Sequence, residues 1–167
     1  TTDHDLLLNI GTEIEPIKGW KTNISYKYNL LSGTNAQNPK PVYVPIPNGT
    51  TGNIGEAASG YRSIMNQSQY NLFTVFSSYE QQVDNHAFKV LLGYEQDVNT
   101  SNLLNGYKMN LITNEVPSIS TATGDFTLDD NMAHWSTQGV FGRLNYNFEE
   151  KYLLEASARY DGSSRFA

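Results

Sequence analysis

Three histidines and two acidic pairs are the side chains of this sequence with the best chemical claim to a metal site or a catalytic centre. His4, His86 and His134 lie far apart, and no two of them have a metal-binding spacing such as HxxxH. The Asp-Asp pair at 129–130 and the Glu-Glu pair at 149–150 are adjacent residues, whose side chains diverge in a strand and are usually solvated in turns. We therefore expect no metal, no cofactor and no catalytic residues, and a protein that is not an enzyme.

Three further segments resemble functional motifs and lack their essential residues. The glycine-rich stretch 49–55 has no Lys-Ser/Thr pair to hold a phosphate, and 125–131 lacks the Asp-x-Asp-x-Asp-Gly frame of a calcium loop. The serines at 163 and 164 have no paired histidine and no strand-elbow-helix frame. All three segments are predicted to be loops or strand exits.

Composition excludes several classes of protein. The formal net charge is −6, and no cluster of Lys and Arg forms a stripe that would neutralise phosphates, so nucleic acid is not an expected partner. The absence of cysteine removes disulfide scaffolds and thiolate sites. No apolar run reaches the roughly 18 residues of a membrane-spanning helix, whereas the strands of a transmembrane barrel need only alternate.

Strict alternation of apolar and polar residues runs from Trp20 to Leu30. One parity consists of Trp20, Thr22, Ile24, Tyr26, Tyr28 and Leu30, and the other of Lys21, Asn23, Ser25, Lys27 and Asn29. Because successive side chains of a strand point to opposite faces, this pattern predicts a strand with one apolar face and one face that contacts water.

Similar alternation predicts three hairpins. The first joins strands around a turn at 16–19, the second joins 70–80 to 86–96, and the third covers 136–161 with a turn at 149–151. We count about six strands, each near the roughly 9–11 residues that a tilted membrane strand requires.

Two long polar segments, Ser32 to Gln69 and Val98 to Trp135, are predicted to be loops between these hairpins. Compact soluble domains seldom contain loops of this length. Outer-membrane barrels combine short periplasmic turns with long extracellular loops. The predicted fold is therefore all-β: a fragment of an antiparallel transmembrane β-barrel with about six strands in three hairpins and two long extracellular loops.

Alternation then assigns the side chains to lipid or to the barrel lumen. The predicted lipid-facing residues are Trp20, Ile24, Tyr26, Tyr28, Val90, Leu92, Tyr94, Leu144, Tyr146, Leu154 and Tyr160. The predicted lumen-facing residues are Lys21, Lys27, Arg143, Asn145, Glu155 and Arg159. Charged side chains cannot enter a dry core without a cost of several kcal/mol per unpaired charge, so the second set requires a wet interior. Aromatic rings at both ends of the strands match the two girdles of membrane barrels.

The strand count also predicts that the sequence is one part of a larger wall. Six strands cannot close a membrane barrel, because the smallest have about eight and an open edge in lipid leaves backbone groups unsatisfied. We expect residues 1–167 to be part of a single barrel domain whose remaining strands lie outside this sequence.

Four segments carry a resemblance to a known family. They are GRLNY at 142–146, KYLL at 151–154, RYDGSSRF at 159–166 and NHAFKVLLGYE at 85–95. Together they resemble the barrel of SusC/RagA-type TonB-dependent transporters of Bacteroidetes, and the two long loops match least.

The resemblance implies a function and several partners. It implies a barrel of about 22 strands around an N-terminal plug, placed in the outer membrane and surrounded by its lipid. It further implies energy supplied by TonB through the absent plug region, a SusD-like surface lipoprotein as a lid, and import of oligosaccharides or peptides. The loop aromatics Tyr43, Tyr61 and Trp135 are then candidates for contact with substrate, although loop packing is the commoner role of such residues.

Two other functions remain open on the sequence. A soluble β-sandwich that binds carbohydrate would require apolar faces from two packed sheets. A passive porin or an adhesin barrel would share the same wall chemistry and lack the plug.

Overall fold

The computed structural model describes residues 1–47 and 49–166, which form an almost entirely β structure. The strands are β1 (Thr2–Ile17), β2 (Trp20–Gln37), β3 (Tyr43–Pro45), β4 (Thr51–Asn53), β5 (Gly60–Val83), β6 (His86–Met109), β7 (Phe126–Phe148) and β8 (Tyr152–Ser163). A short 3₁₀ turn spans Ile119–Thr121. Within the described ranges no helix is long and apolar enough to cross a membrane.

The three predicted hairpins are present. Gly19 closes the β1–β2 turn with a φ of 86°, a value at which a side chain would be strained. Asp84 lies at the β5–β6 turn with a φ of 52°, and Glu149 and Glu150 lie at the β7–β8 turn with φ values of 52° and 58°. Asp tolerates the left-handed conformation because its short side chain can bond the local backbone.

Six strands form one antiparallel sheet in the order β1-β2-β5-β6-β7-β8, and β3 and β4 form a separate two-stranded sheet. The β7–β8 pairing fixes the register, with Val140 opposite Tyr160, Leu144 opposite Ala156 and Asn145 opposite Glu155. β1 and β8 are the edges of the larger sheet, which is not closed. The predicted open, six-stranded fragment of a barrel is therefore confirmed.

The strands are much longer than predicted, and the two loops correspondingly shorter. β2 continues to Gln37, β5 begins at Gly60, and the connection between them is 38–59 instead of 32–69. β6 and β7 likewise reduce the second connection to 110–125. The prediction was wrong because main-chain pairing continues through Asn, Ser and Thr positions that have no apolar alternation.

The chain divides into two compact units, which we call the turn unit and the loop unit. The turn unit comprises 6–30, 69–100 and the residues from 134 onward, and it contains the three tight turns. The loop unit comprises 1–5, 31–68 and 101–133 and contains both long connections. In the loop unit, Tyr43 pairs with Asn53 across β3 and β4, and Ser118 caps the 3₁₀ turn.

Burial in this structure is unlike that of a globular domain. Among the described residues, Ala122 is the only buried hydrophobic side chain, at 4% exposure. A β-sandwich buries the inner faces of two sheets against each other. The described strands provide no such core, which argues against the sandwich alternative.

Candidate functional site

Several predicted lipid-facing aromatic residues of the turn unit form hydrogen bonds with polar side chains on the same face of the sheet. Trp20 Nε1 donates to Ser77 Oγ at 2.7 Å, and the Tyr26 hydroxyl donates to Asn71 Oδ1 at 2.6 Å. The hydroxyl of Tyr94 likewise donates to Gln138 Oε1 at 3.4 Å. We call this surface, which carries the predicted lipid-facing residues, the apolar face. In these three bonds the rings donate through the indole N–H or the phenol hydroxyl.

Rings from neighbouring strands form a row near the tight turns on the apolar face. Tyr79 and Phe88 have centroids 6.5 Å apart, and Phe148 lies 4.7 Å from His86 and 6.3 Å from Tyr152. His86 Nδ1 and the Tyr146 hydroxyl are 2.7 Å apart. This row has the composition of the aromatic girdle that was predicted for this end of the strands.

The aliphatic side chains between the rings are exposed. Val90 is 38% exposed, Leu92 66% and Leu144 42%, while Tyr160 on β8 is 78% exposed. Ile24, Tyr26, Trp20 and Leu154 are also exposed, and Tyr28, Tyr94 and Tyr146 are half-buried. Exposed apolar side chains grouped on one face of a sheet are unusual on a soluble monomer and are typical of surfaces that contact protein or lipid.

The opposite surface, which we call the polar face, carries ion pairs within the turn unit. Lys21 Nζ lies 3.4 Å from Glu13, Lys89 Nζ lies 3.1 Å from Glu80, and Arg143 Nε lies 3.8 Å from Glu155. Asn145 donates to Glu155 at 2.6 Å. Lys27 is half-buried and has no carboxylate within 4 Å in the described chain. All the paired groups are substantially exposed, so each pair contributes less than about 1 kcal/mol.

Arg159 is the centre of the largest network on the polar face. Its Nη2 lies 3.0 Å from Glu95, its Nε lies 2.8 Å from Asp161, and its guanidinium carbon is 5.6 Å from the Phe141 ring centroid. Thr74 donates to the same Glu95, at 3.4 Å. β5, β6, β7 and β8 are thus linked on this face.

Trp135 lies in β7 and not in a loop, contrary to the prediction. Its ring centroid is 6.4 Å from that of Tyr70, and the Arg165 guanidinium carbon lies 4.5 Å from the same ring. One side of the indole is therefore occupied by a cation–π contact. A sugar or peptide that stacked on that side would have to displace Arg165.

The other two candidate aromatics, Tyr43 and Tyr61, belong to the loop unit, whereas Trp135 belongs to the turn unit. Tyr43 is 64% exposed in β3. Tyr61 is half-buried at the start of β5, directly after the connection 38–59.

Alternation had not singled out the apolar residues on the polar face. Phe141 covers Gly93: a Cβ built on Gly93 would overlap the Phe141 ring. Leu153 shares the odd parity of Glu155 in β8 and is 78% exposed. Because Phe141 and Leu153 are odd-numbered, alternation places both on the polar face. The contact of Phe141 with Gly93 could not be predicted, because it depends on the register between β6 and β7.

We predict that Gly93→Ala destabilises the folded protein, because the new Cβ must push the Phe141 ring from its place beside Arg159. Overpacking of this kind costs about 1–3 kcal/mol. The midpoint of urea unfolding would measure the loss.

Gly162→Ala is the matched control for that measurement, since the nearest atom to its new Cβ is at 3.9 Å, an ordinary contact. Equal midpoints for the two variants would contradict the role of Gly93.

No group of three or more His, Asp or Glu side chains that could hold a metal is found among residues 1–47 and 49–166.

Sequence comparison identifies relatives of this chain. It is 33% identical over 116 residues, 68% of its length, to TonB-dependent receptor P3 of Formosa agariphila. It is 26% identical over 165 residues, 94% of its length, to TonB-dependent receptor P39 of the same organism. The chain spans 11% and 14% of the lengths of these two proteins. No family model matches it.

Solved structures share its fold. The RagAB peptide transporter superposes with a TM-score of 0.85 over 99% of this chain, at 18% identity. The RagAB peptide importer in the open-open state superposes with a TM-score of 0.83 over 98% of this chain, at 20% identity. In each case the match covers 18% of the larger chain. At these identities the likeness establishes the fold and nothing finer.

Proposed function

We propose that this chain forms part of the wall through which a complete receptor imports nutrients across the outer membrane. The chain is a barrel segment of a TonB-dependent receptor of the SusC/RagA type. The resemblance seen at 85–95 and 135–166 is confirmed by the relatives and the shared fold. The import activity rests on that kinship and on the two faces of the sheet.

The observation that carries the proposal is the contrast between those faces. The apolar face has exposed aliphatic side chains bordered by a row of rings, as lipid contact requires. The polar face has partly exposed ion pairs such as Arg159 with Glu95, which suit a water-filled or plug-filled lumen. We therefore assign the predicted lipid-facing and lumen-facing residues to those two environments.

The cargo class and partners belong to the same proposal. The solved structures that share this fold are those of a peptide transporter, whereas the names of the Formosa receptors give no cargo. We therefore propose peptides and oligosaccharides as the two cargo classes. A SusD-like surface lipoprotein is proposed as the lid, and TonB is proposed to act through a plug domain. The strands serve as a hydrogen-bonded frame and the connections 38–59 and 110–125 as recognition surfaces, with no catalytic step.

A passive porin is the second candidate, because its wall would have the same two faces. The two mechanisms differ in their need for energy. A TonB-dependent receptor concentrates cargo only when TonB is present, whereas a porin equilibrates cargo without it.

Uptake by cells tests the proposal. Cells with the complete receptor, cells without its gene, and cells with the receptor but without TonB would be given a fluorescent peptide digest and a fluorescent oligosaccharide mixture. We expect at least one mixture to accumulate in the first strain and not in the other two. Accumulation that persists without TonB would favour the porin, and accumulation that is the same with and without the receptor gene would reject both.

A further inference from the structure

Arg62 and Tyr107 form an isolated pair in the loop unit. Arg62 is the third residue of β5, immediately after the connection 38–59, and its guanidinium carbon lies 5.0 Å from the centroid of the Tyr107 ring in β6. Gly60 leaves room for this ring, because a Cβ there would lie 2.6 Å from the Tyr107 hydroxyl. The ring thus supports one flat side of the guanidinium.

Arg62 differs from the other strand arginines in having no acidic partner. Arg143 and Arg159 each lie within 4 Å of a carboxylate, whereas Arg62 has none in the part of the chain that the structure describes. This is unexpected in a chain with 17 acidic and 11 basic side chains. Arg62 therefore contacts the Tyr107 ring and does not form a salt bridge with a nearby acid in the described residues.

Arg62 also has an unused donor. Its Nε is buried and has no hydrogen-bond acceptor, although the residue as a whole is only half-buried. A buried donor without a partner destabilises the folded state, and such donors are uncommon in folded proteins.

We propose that Arg62, supported by Tyr107, is a subsite that binds a carboxylate group of the imported cargo. This deepens the import function proposed above and depends on it. The two Nη nitrogens of a guanidinium form a planar fork that matches the two oxygens of a carboxylate. Because Nε of Arg62 is buried, the Nη edge is the one that a carboxylate would reach.

The register of the β5–β6 hairpin supports a lumen-facing position. In the turn unit, even-numbered Thr74 contacts odd-numbered Glu95, and in the loop unit even-numbered Arg62 contacts odd-numbered Tyr107. The alternation of side chains therefore keeps one phase along the hairpin. On that alternation, Arg62 is predicted to face the lumen, where cargo passes.

Two cargo classes supply the same chemistry. A peptide has a C-terminal carboxylate and acidic side chains, and an acidic oligosaccharide has uronate groups. Both lose the negative charge when the carboxylate is converted to a methyl ester, and the rest of the molecule is little changed.

Retention of esterified and unesterified cargo by the purified complete receptor tests the subsite. One arm uses a peptide digest and its methyl esters, and the other uses alginate oligosaccharides and their methyl esters. In at least one arm we expect the acid form to bind roughly tenfold or more tightly than the ester, since a hydrogen bond to a charged group contributes about 1.5–3 kcal/mol. The arm that shows the preference identifies the source of the carboxylate.

Variants then assign the preference to Arg62. Arg62→Gln is expected to reduce it to within about twofold, and Arg62→Lys to retain part of it, because lysine keeps the charge and lacks the fork. Arg143→Gln removes an equal charge whose partner is Glu155, and should leave the preference unchanged. Folding of each variant is checked by heat-modifiable migration on gels.

The outcomes separate the two proposals. Binding of acid and ester with equal affinity in wild type, or an unchanged preference in Arg62→Gln, overturns the carboxylate subsite and leaves import standing. A receptor that retains neither mixture and supports no uptake overturns both. If Arg62→Gln does not fold, Arg62→Lys provides the second test, and a full wild-type preference in that variant would overturn the role of the guanidinium fork.

Discussion

Leu144→Arg is expected to prevent stable assembly of the receptor in a membrane. Leu144 is 42% exposed on the apolar face and pairs with Ala156 across β7 and β8. If this face meets lipid, an arginine there loses its hydration and has no acidic partner. The cost is about 2–4 kcal/mol near the bilayer midplane, a large part of the stability of a typical domain. We expect the urea midpoint in lipid vesicles and the folded fraction in outer membranes to fall together.

Asn145→Arg is the matched control, one residue further along β7. Asn145 lies on the polar face, where it donates to Glu155, and an arginine there gains an acid to pair with. Folding of this variant should stay within about 0.5 kcal/mol of wild type, as for most surface substitutions. Equal loss in both variants would indicate that arginine harms β7 itself, and an effect in Asn145→Arg alone would reverse the assignment of the faces.

The sequence was sufficient to predict the turns and the alternation because both are local. Gly19, Asp84 and the pair at 149–150 adopt positive φ where turns were expected, and the polar runs on either side of the hairpins contain the long connections. Period-two alternation then separates residues such as Leu144 and Arg143 without knowledge of any neighbouring strand.

Strand length was not predictable from the same pattern. The alternation stops near Leu30, but β2 continues to Gln37 because its backbone still pairs with a neighbour. The alternation of apolar and polar residues shows only where one face of a strand contacts apolar groups. Backbone pairing has no such requirement, so polar residues such as Asn35 extend a strand without a sequence signal.

The functional candidates were the least predictable because they depend on contacts across strands. Trp135 could be recognised as an aromatic near a loop, but its cation–π contact with Arg165 depends on how β7 and β8 pair. Arg62 has no unusual neighbours in sequence, and it became a candidate only because Tyr107 lies beside it and no carboxylate of the described residues lies within 4 Å. Composition cannot show which arginine lacks a partner.

A single serine inserted between Leu91 and Leu92 is expected to abolish folding of the receptor. β6 is paired on both sides, with β5 and β7, and a one-residue shift moves each later side chain to the opposite face. Leu92 and Tyr94 would then lie on the polar face, and Glu95 would lie on the apolar face without its partner Arg159. A β-bulge could absorb the extra residue only by breaking hydrogen bonds to both neighbouring strands, and each broken bond is costly where no water is available.

The same serine inserted between Ala57 and Ala58, in the connection 38–59, is the control. It should be tolerated because the entropy of loop closure depends weakly on loop length. Wild-type amounts of folded receptor from the β6 insertion would show that alternation in this strand is not required by its surroundings.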